Sequence, residues 1–199
     1  MIRLLSFVFA LFVSSYASST TLLILGDSLS AGYQMPIAQA WPSLLPEELA
    51  KQNKTVDVVN ASISGDTTGN GLSRLPSLLQ EHQPSYVLIE LGANDGLRGF
   101  PPNNVEKNLS AMIAQAKASG ATPILMQIRV PPNYGNRYSD AFFDIYPTVA
   151  QKDGVSLIPF FLEQVIIKPE WMMSDGLHPK PEAQPFIAEY VAGHLVKHL

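Results

Sequence analysis

The chain has 199 residues and no cysteine. That excludes a disulfide scaffold, a thiolate metal site and a cysteine nucleophile. Charge is also sparse, at 15% of residues, and 13 Lys and Arg against 17 Asp and Glu leave a net charge of −4. A mildly acidic balance argues against nucleic acid as the main partner. Tryptophan is rare, with Trp41 and Trp171 only. Beyond the first residues no long apolar run occurs, so no stable membrane anchor is expected once the N-terminus is processed. Hydrophobic residues make up 46% of the chain, which excludes a disordered polymer. The length fits one domain with its own core.

The N-terminus reads as a leader. Met1–Val13 (MIRLLSFVFALFV) carries one early cation, Arg3, and then an apolar run. Small residues follow from Ser14 to Ser19, broken by Tyr16. This is the charged, apolar and small-residue order of a secretory signal. Residues 1–17 are therefore expected to be a signal peptide, with cleavage after Ala17 or as late as Ser19. Residues 18–199 are expected to be the exported domain, periplasmic or secreted.

The remainder alternates strand and helix. Strands are predicted at Thr21–Gly26, Val56–Ala61, Tyr86–Leu91, Pro123–Ile128 and Val155–Pro159, all short apolar runs. Helical spacing is found in Trp41–Lys51, Leu72–Gln83, Asn103–Ser119, Ser139–Lys152 and Pro181–Leu199. Apolar strands alternating with amphipathic helices predict one doubly wound α/β domain with a parallel sheet covered on both faces. In such a fold the site lies beyond the carboxyl ends of the strands.

Four polar loops fall on that edge. They are Gly26–Gly32 (GDSLSAG), Asn60–Asp66 (NASISGD), Gly92–Gly96 (GANDG) and Ser174–Pro179 (SDGLHP). Ser28 stands at a strand-to-helix turn. It reads either as a helix cap or as a nucleophile whose own N–H faces an anion. Of four histidines, His82, His194 and His198 lie on predicted helices and read as helix-end or surface residues. His178 lies in a loop with Asp175 three residues before it, a spacing at which one turn brings carboxylate to imidazole. Gly65 offers an open backbone N–H and Asn94 a side-chain amide, the donor types an oxyanion needs. Each of these also has an ordinary reading as a turn residue. Asp27 and Asp95 are expected to brace these loops.

These blocks, in this order, resemble the SGNH hydrolases, the GDSL esterase/lipase superfamily: Ser28 in GDSLS, Gly65 in the second loop, Asn94 in G-x-N-D and His178 in D-x-x-H. LLILGDSLSAGY, NASISGDT, GLRGF, MQIR, NYGNRY and AQPFIA are similar to the bacterial multifunctional acyl-CoA thioesterase I, protease I and lysophospholipase group. GDSLS itself misses the G-x-S-x-G elbow of the α/β-hydrolases, because Ser30 stands where the last Gly should be. The resemblance implies a single-domain, three-layer α/β/α, flavodoxin-like fold with a five-stranded parallel sheet. It implies Ser28 as nucleophile, His178 as base and Asp175 as its partner. It also implies an oxyanion hole from Ser28, Gly65 and Asn94, with no metal and no organic cofactor. The implied substrates are acyl esters, thioesters and lysophospholipids, and a monomer is the expectation.

For the acyl groove the expected lining is Leu97, Phe100, Pro101, Ile128, Tyr134 and Leu177, residues in or near the site loops. Gly96–Phe100 is read as a flap bending at its glycines, and Arg129 and Arg137 as contacts for a phosphate head group or as structural ion pairs. Two other readings stand beside this one. A carbohydrate O-acetylesterase would want a shallow polar cleft with aromatic platforms such as Trp41 or Trp171. A non-catalytic binding module would need only the fold.

Overall fold

The computed structural model describes residues 20–199. The signal-peptide reading of residues 1–17, with its alternative end at 19, lies outside them. The sheet has five parallel strands: β1 (Thr20–Gly26), β2 (Val56–Asn60), β3 (Tyr86–Glu90), β4 (Thr122–Met126) and β5 (Ser156–Ile158). Their spatial order is β2-β1-β3-β4-β5. Strand β1 is buried along Leu22–Gly26, and β3 and β4 are buried over four residues each. This is why they read as unbroken apolar runs rather than as alternation.

The helices are α1 (Ser28–Ala31), α2 (Trp41–Ala50), α3 (Thr68–His82), α4 (Ala93–Leu97), α5 (Pro102–Ala118), α6 (Asn136–Asp153), α7 (Leu162–Val165) and α8 (Gln184–Leu195). The chain moves one way from β1 to β2 and the other way from β2 through β3 to β5. Right-handed crossovers then place helices on opposite faces. Accordingly α2 packs on α8, while α3, α5 and α6 pack side by side. Gln184 Oε1 accepts the Trp41 N–H at 2.9 Å and ties the first pair together. Leu45, Leu49, Ile187, Val191 and Leu195 fill one side of the sheet, and Leu75, Leu109, Met112, Phe142 and Tyr146 the other; all are fully buried.

Several boundaries differ from the sequence reading. Helix α3 starts at Thr68, four residues before Leu72, because Thr67 and Asn70 form a reciprocal capping box. Helix α6 starts at Asn136, three residues early. The last helix is preceded by a single 3-10 turn at Pro181–Ala183 and ends at Leu195 rather than Leu199. Strand β5 keeps only three residues. The short helices α1, α4 and α7 were not expected. None is long enough to show a periodic face.

The junction of β3 and α4 is tightly constrained. Gly92 has φ of +127°, and a Cβ there would lie 2.1 Å from Tyr146 Oη. Tyr146 is fully buried and donates to Leu91 O at 3.0 Å. Gly92→Ala combines backbone strain with a steric overlap, so we expect it to lower stability by about 2–4 kcal/mol. Urea unfolding at neutral pH measures this, and an unchanged midpoint contradicts it.

Candidate active site

The site forms where β1, β2 and β3 end. Ser28 follows β1 after one residue, Asp27, and is the first residue of α1, where a backbone N–H has no intrahelical acceptor. Asp27 caps this turn by accepting the Leu29 N–H at 3.0 Å. Ser28 is half-buried, and its Oγ lies 2.8 Å from His178 Nε2.

His178 comes from the loop before α8. Asp175 Oδ1 accepts the N–H groups of Leu177 and His178, at 2.9 and 3.0 Å. Its Oδ2 lies 2.7 Å from His178 Nδ1. The loop is closed at its base, where Met173 N–H donates to His178 O at 2.8 Å and Lys180 N–H to Trp171 O at 2.7 Å. The Tyr33 ring stacks on the imidazole at 4.1 Å between centroids. Burial presses the Asp175 carboxyl upward, but the donors from Leu177 and His178 outweigh it and hold the group below its usual range. A carboxylate that stays ionised beside Nδ1 fixes the hydrogen there and leaves Nε2 free to accept from Ser28.

Gly65 lies at the cavity wall with φ of +87°, and a Cβ there would meet nothing within 4 Å. Arg98 Nη2 donates to its carbonyl at 3.1 Å. Asn94 begins the second position of α4, and its Nδ2 donates to Asp27 Oδ2 at 3.2 Å and to Asp66 O at 3.0 Å. Ser28, Gly65, Asn94 and His178 thus line one cavity of about 580 Å³.

Three buried acids support these loops. Asp95 accepts from Thr68 N–H at 2.8 Å and Thr68 Oγ1 at 2.6 Å, which ties α4 to α3. Burial raises its carboxyl, partly offset by Thr68 and Arg98. Asp27 is fully buried, and this raises its carboxyl to about 7, against the opposing pull of Leu29 and Asn94. Glu90, at the end of β3, is fully buried and pushed well above its usual range by burial and then by Asp27. The sequence reading passed over Glu90. Its signal was an acid inside an apolar strand, which is rare unless partnered. No signal marked Tyr33.

The expected groove lining needs correction. Leu97 and Leu177 do line the cavity. Ile128 does not: it is fully buried beneath the loops, continuing the apolar face of β4. Tyr134 lines a separate shallow surface depression with Arg137 and Tyr138, and its hydroxyl donates to Leu97 O at 3.0 Å. Phe100 and Pro101 are exposed and lie outside the lining. The wall is built instead by Leu29, Val130, Pro131, Phe160, Leu162 and Ile166. Nor does Gly96–Phe100 have the build of a hinged flap. Gly96 lies inside α4 against Val130 and Phe142, and Tyr138 Oη donates to Phe100 O at 2.8 Å. Arg129 pairs with Glu163 at 2.7 Å and stacks on Phe143 at 3.9 Å. Among the described residues no group of three or more His, Asp or Glu could hold a metal ion.

The raised Asp27 carboxyl has a consequence for stability. The folded chain keeps this proton up to about pH 7, whereas an ordinary Asp loses it near 3.8. Its contribution is therefore full below about pH 4 and is lost as pH rises toward 7. Glu90 acts in the same direction. In urea unfolding, Asp27→Asn should reduce the fall in midpoint between about pH 4 and pH 7. An unchanged slope would refute the buried assignment.

Known proteins are similar to this chain in sequence and fold. Residues 24–184 match the profile of the GDSL-like Lipase/Acylhydrolase family. An arylesterase of Vibrio mimicus is 68% identical over the full length of both chains. Thioesterase 1/protease 1/lysophospholipase L1 of Escherichia coli K12 is 57% identical, over 90% of this chain and 85% of that one. The crystal structure of the psychrotrophic esterase EstA from Pseudoalteromonas sp., in a form inhibited by monoethylphosphonate, superposes with a TM-score of 0.87. It is 41% identical and covers 90% of this chain and 98% of its own. By fold, by site order and by these similarities, the chain belongs to the GDSL-like lipase/acylhydrolase family.

Proposed function

We propose that this protein is a serine hydrolase that cleaves acyl esters and thioesters through an acyl-Ser28 intermediate. One observation carries the reading. Ser28 Oγ, the His178 ring and Asp175 stand in line at 2.8 and 2.7 Å, at the wall of a largely apolar cavity. His178 Nε2 takes the hydroxyl proton as Ser28 Oγ attacks the acyl carbonyl. The N–H groups of Ser28 and Gly65 and the amide of Asn94 receive the oxyanion. The tetrahedral intermediate collapses, and the alcohol or thiol leaves with the proton from His178. Water enters, gives its proton to His178 and attacks the acyl-enzyme. The carboxylic acid departs and Ser28 regains its proton.

The cavity wall favours a fatty acyl chain. Leu29, Val130, Phe160, Leu162 and Ile166 present carbon to it, and its size suits a small-molecule site. A carbohydrate O-acetylesterase is the weaker reading. Trp41 is fully buried, and Trp171 packs at a tilt against Phe186 outside the cavity, so neither serves as a sugar platform. The relatives named arylesterase and thioesterase/lysophospholipase support the ester and thioester classes. We further propose export by residues 1–17 and, on that ground, lysophospholipids or other exported acyl esters as substrates rather than cytosolic acyl-CoA. No helix among the described residues is long and apolar enough to cross a membrane.

Hydrolysis of p-nitrophenyl acetate, octanoate and palmitate by the protein and its Ser28→Ala form tests this reading. Removing the nucleophile should lower kcat by roughly 10⁴-fold or more on every ester. Leu162→Trp should fill the groove and lower kcat/KM on palmitate at least about tenfold more than on acetate. Ser28-independent turnover refutes the mechanism. Equal losses on both esters from Leu162→Trp refute the groove.

A further inference from the structure

The mechanism above leaves two buried acids unused. Asp27 and Glu90 are both fully buried under the α1 turn, yet their partners differ. Asp27 receives two good donors, Leu29 N–H on Oδ1 and Asn94 Nδ2 on Oδ2, at 3.0 and 3.2 Å. Glu90 Oε2 receives the Ser30 hydroxyl at 2.6 Å and only a long contact, 3.4 Å, from Asp27 N–H. Among the described residues Glu90 Oε1 is buried with no partner. Ser62 Oγ is also buried without a partner, and one point over Gly26 lies 2.8 Å from both it and Glu90 Oε2. Among the described residues no cation pairs with either acid. Asp66 faces Asp27 but is held by Arg74 at 2.6 Å, and Asp95, also facing Asp27, is eased by Arg98. An ionised carboxylate with a bare oxygen in the interior is costly, and two adjacent ones more so.

We propose that Asp27 and Glu90 form a divided acid pair: Glu90 holds a proton, Asp27 carries the charge, and that charge orients the Asn94 amide for the oxyanion. The reasoning turns on which end of the amide faces inward. An ionised carboxylate only accepts hydrogen bonds, so it draws Asn94 Nδ2 and never Oδ1. A protonated Asp27 can donate to Oδ1 instead. Asp66 O, which accepts from Nδ2 at 3.0 Å, opposes a full inversion, so protonation of Asp27 removes one of the two acceptors that hold the amide and loosens its aim. Protonated Glu90 keeps a second negative charge away and lets Asp27 ionise. Asp27 is thus a positioning residue acting through Asn94, and Glu90 a positioning residue acting through Asp27. Asp27→Asn retains the shape but not the function. If its oxygen serves Leu29 N–H, its NH₂ faces the Asn94 NH₂, and the amide loses that acceptor and keeps only Asp66 O.

This inference rests on Asn94 serving as an oxyanion donor, but one of its readouts does not. Infrared spectra of the wild-type protein at pH 8 should show a protonated carboxyl C=O stretch that is lost in Glu90→Gln. Absence of that band, or its survival in Glu90→Gln, overturns the divided pair whatever the protein hydrolyses. In the same titration, a second protonated-carboxyl band should appear on acidification. Asp27→Asn should remove that second band and lower kcat on p-nitrophenyl octanoate about 10- to 100-fold, with KM within about twofold. A purely structural role would lower the melting temperature and leave kcat per folded molecule unchanged, and that result overturns the positioning claim. If Asp27→Asn does not fold, the wild-type spectra decide: absence of a second protonated-carboxyl band on acidification overturns it.

Discussion

The site depends on one constraint of chain topology. Strand β1 lies between β2 and β3, so the chain must leave its end in one direction and return from the other. Right-handed crossovers then send α2 and α3 to opposite faces and open a crevice beyond the strand ends. The register pairs Gly26 of β1 with Glu90 of β3, and Ile24 with Asn60 of β2. Residues just past these pairs, Ser28, Gly65 and Asn94, emerge on one edge. Only His178 and Asp175 come from elsewhere, and hydrogen bonds at the base of their loop hold that loop against the same edge.

The crevice then divides its chemistry by environment. Asp175 sits near the surface with three donors and stays ionised, which suits a carboxylate that steadies an imidazolium. Asp27 and Glu90 sit in the interior with few donors, and their carboxyls rise. The same chemical group thus performs different tasks according to burial and hydrogen bonding. Hydrophobic packing contributes the remaining element. Phe142 and Tyr146 of α6 press against Gly92 and Gly96, which fixes α4 and the Asn94 it carries.

Much of this was legible in the residues alone. The five strands, the sheet type and the four loops follow from apolar runs ending in glycine-bearing polar segments. Ser28, Asp175 and His178 were legible because their loops combine in one order, although each loop alone has a plain structural reading. The groove was less so. Leu97 and Leu177 lie next to site residues in sequence, whereas Phe160, Leu162 and Ile166 reach the cavity from the four-residue α7 and its flanks, a segment with no periodic signature. Ile128 misled because an apolar residue at a strand end can point to the core as readily as to a cleft. Glu90 was hidden because its role exists only through Asp27, 63 positions away in the chain.

The most direct test is chemical identification of the intermediate. The protein is mixed with p-nitrophenyl octanoate, quenched in acid during turnover and mapped by peptide mass spectrometry. An octanoyl adduct on the peptide containing Ser28, absent when substrate is omitted, is the predicted result. Turnover that leaves Ser28 unmodified while another side chain carries the acyl group would contradict the account.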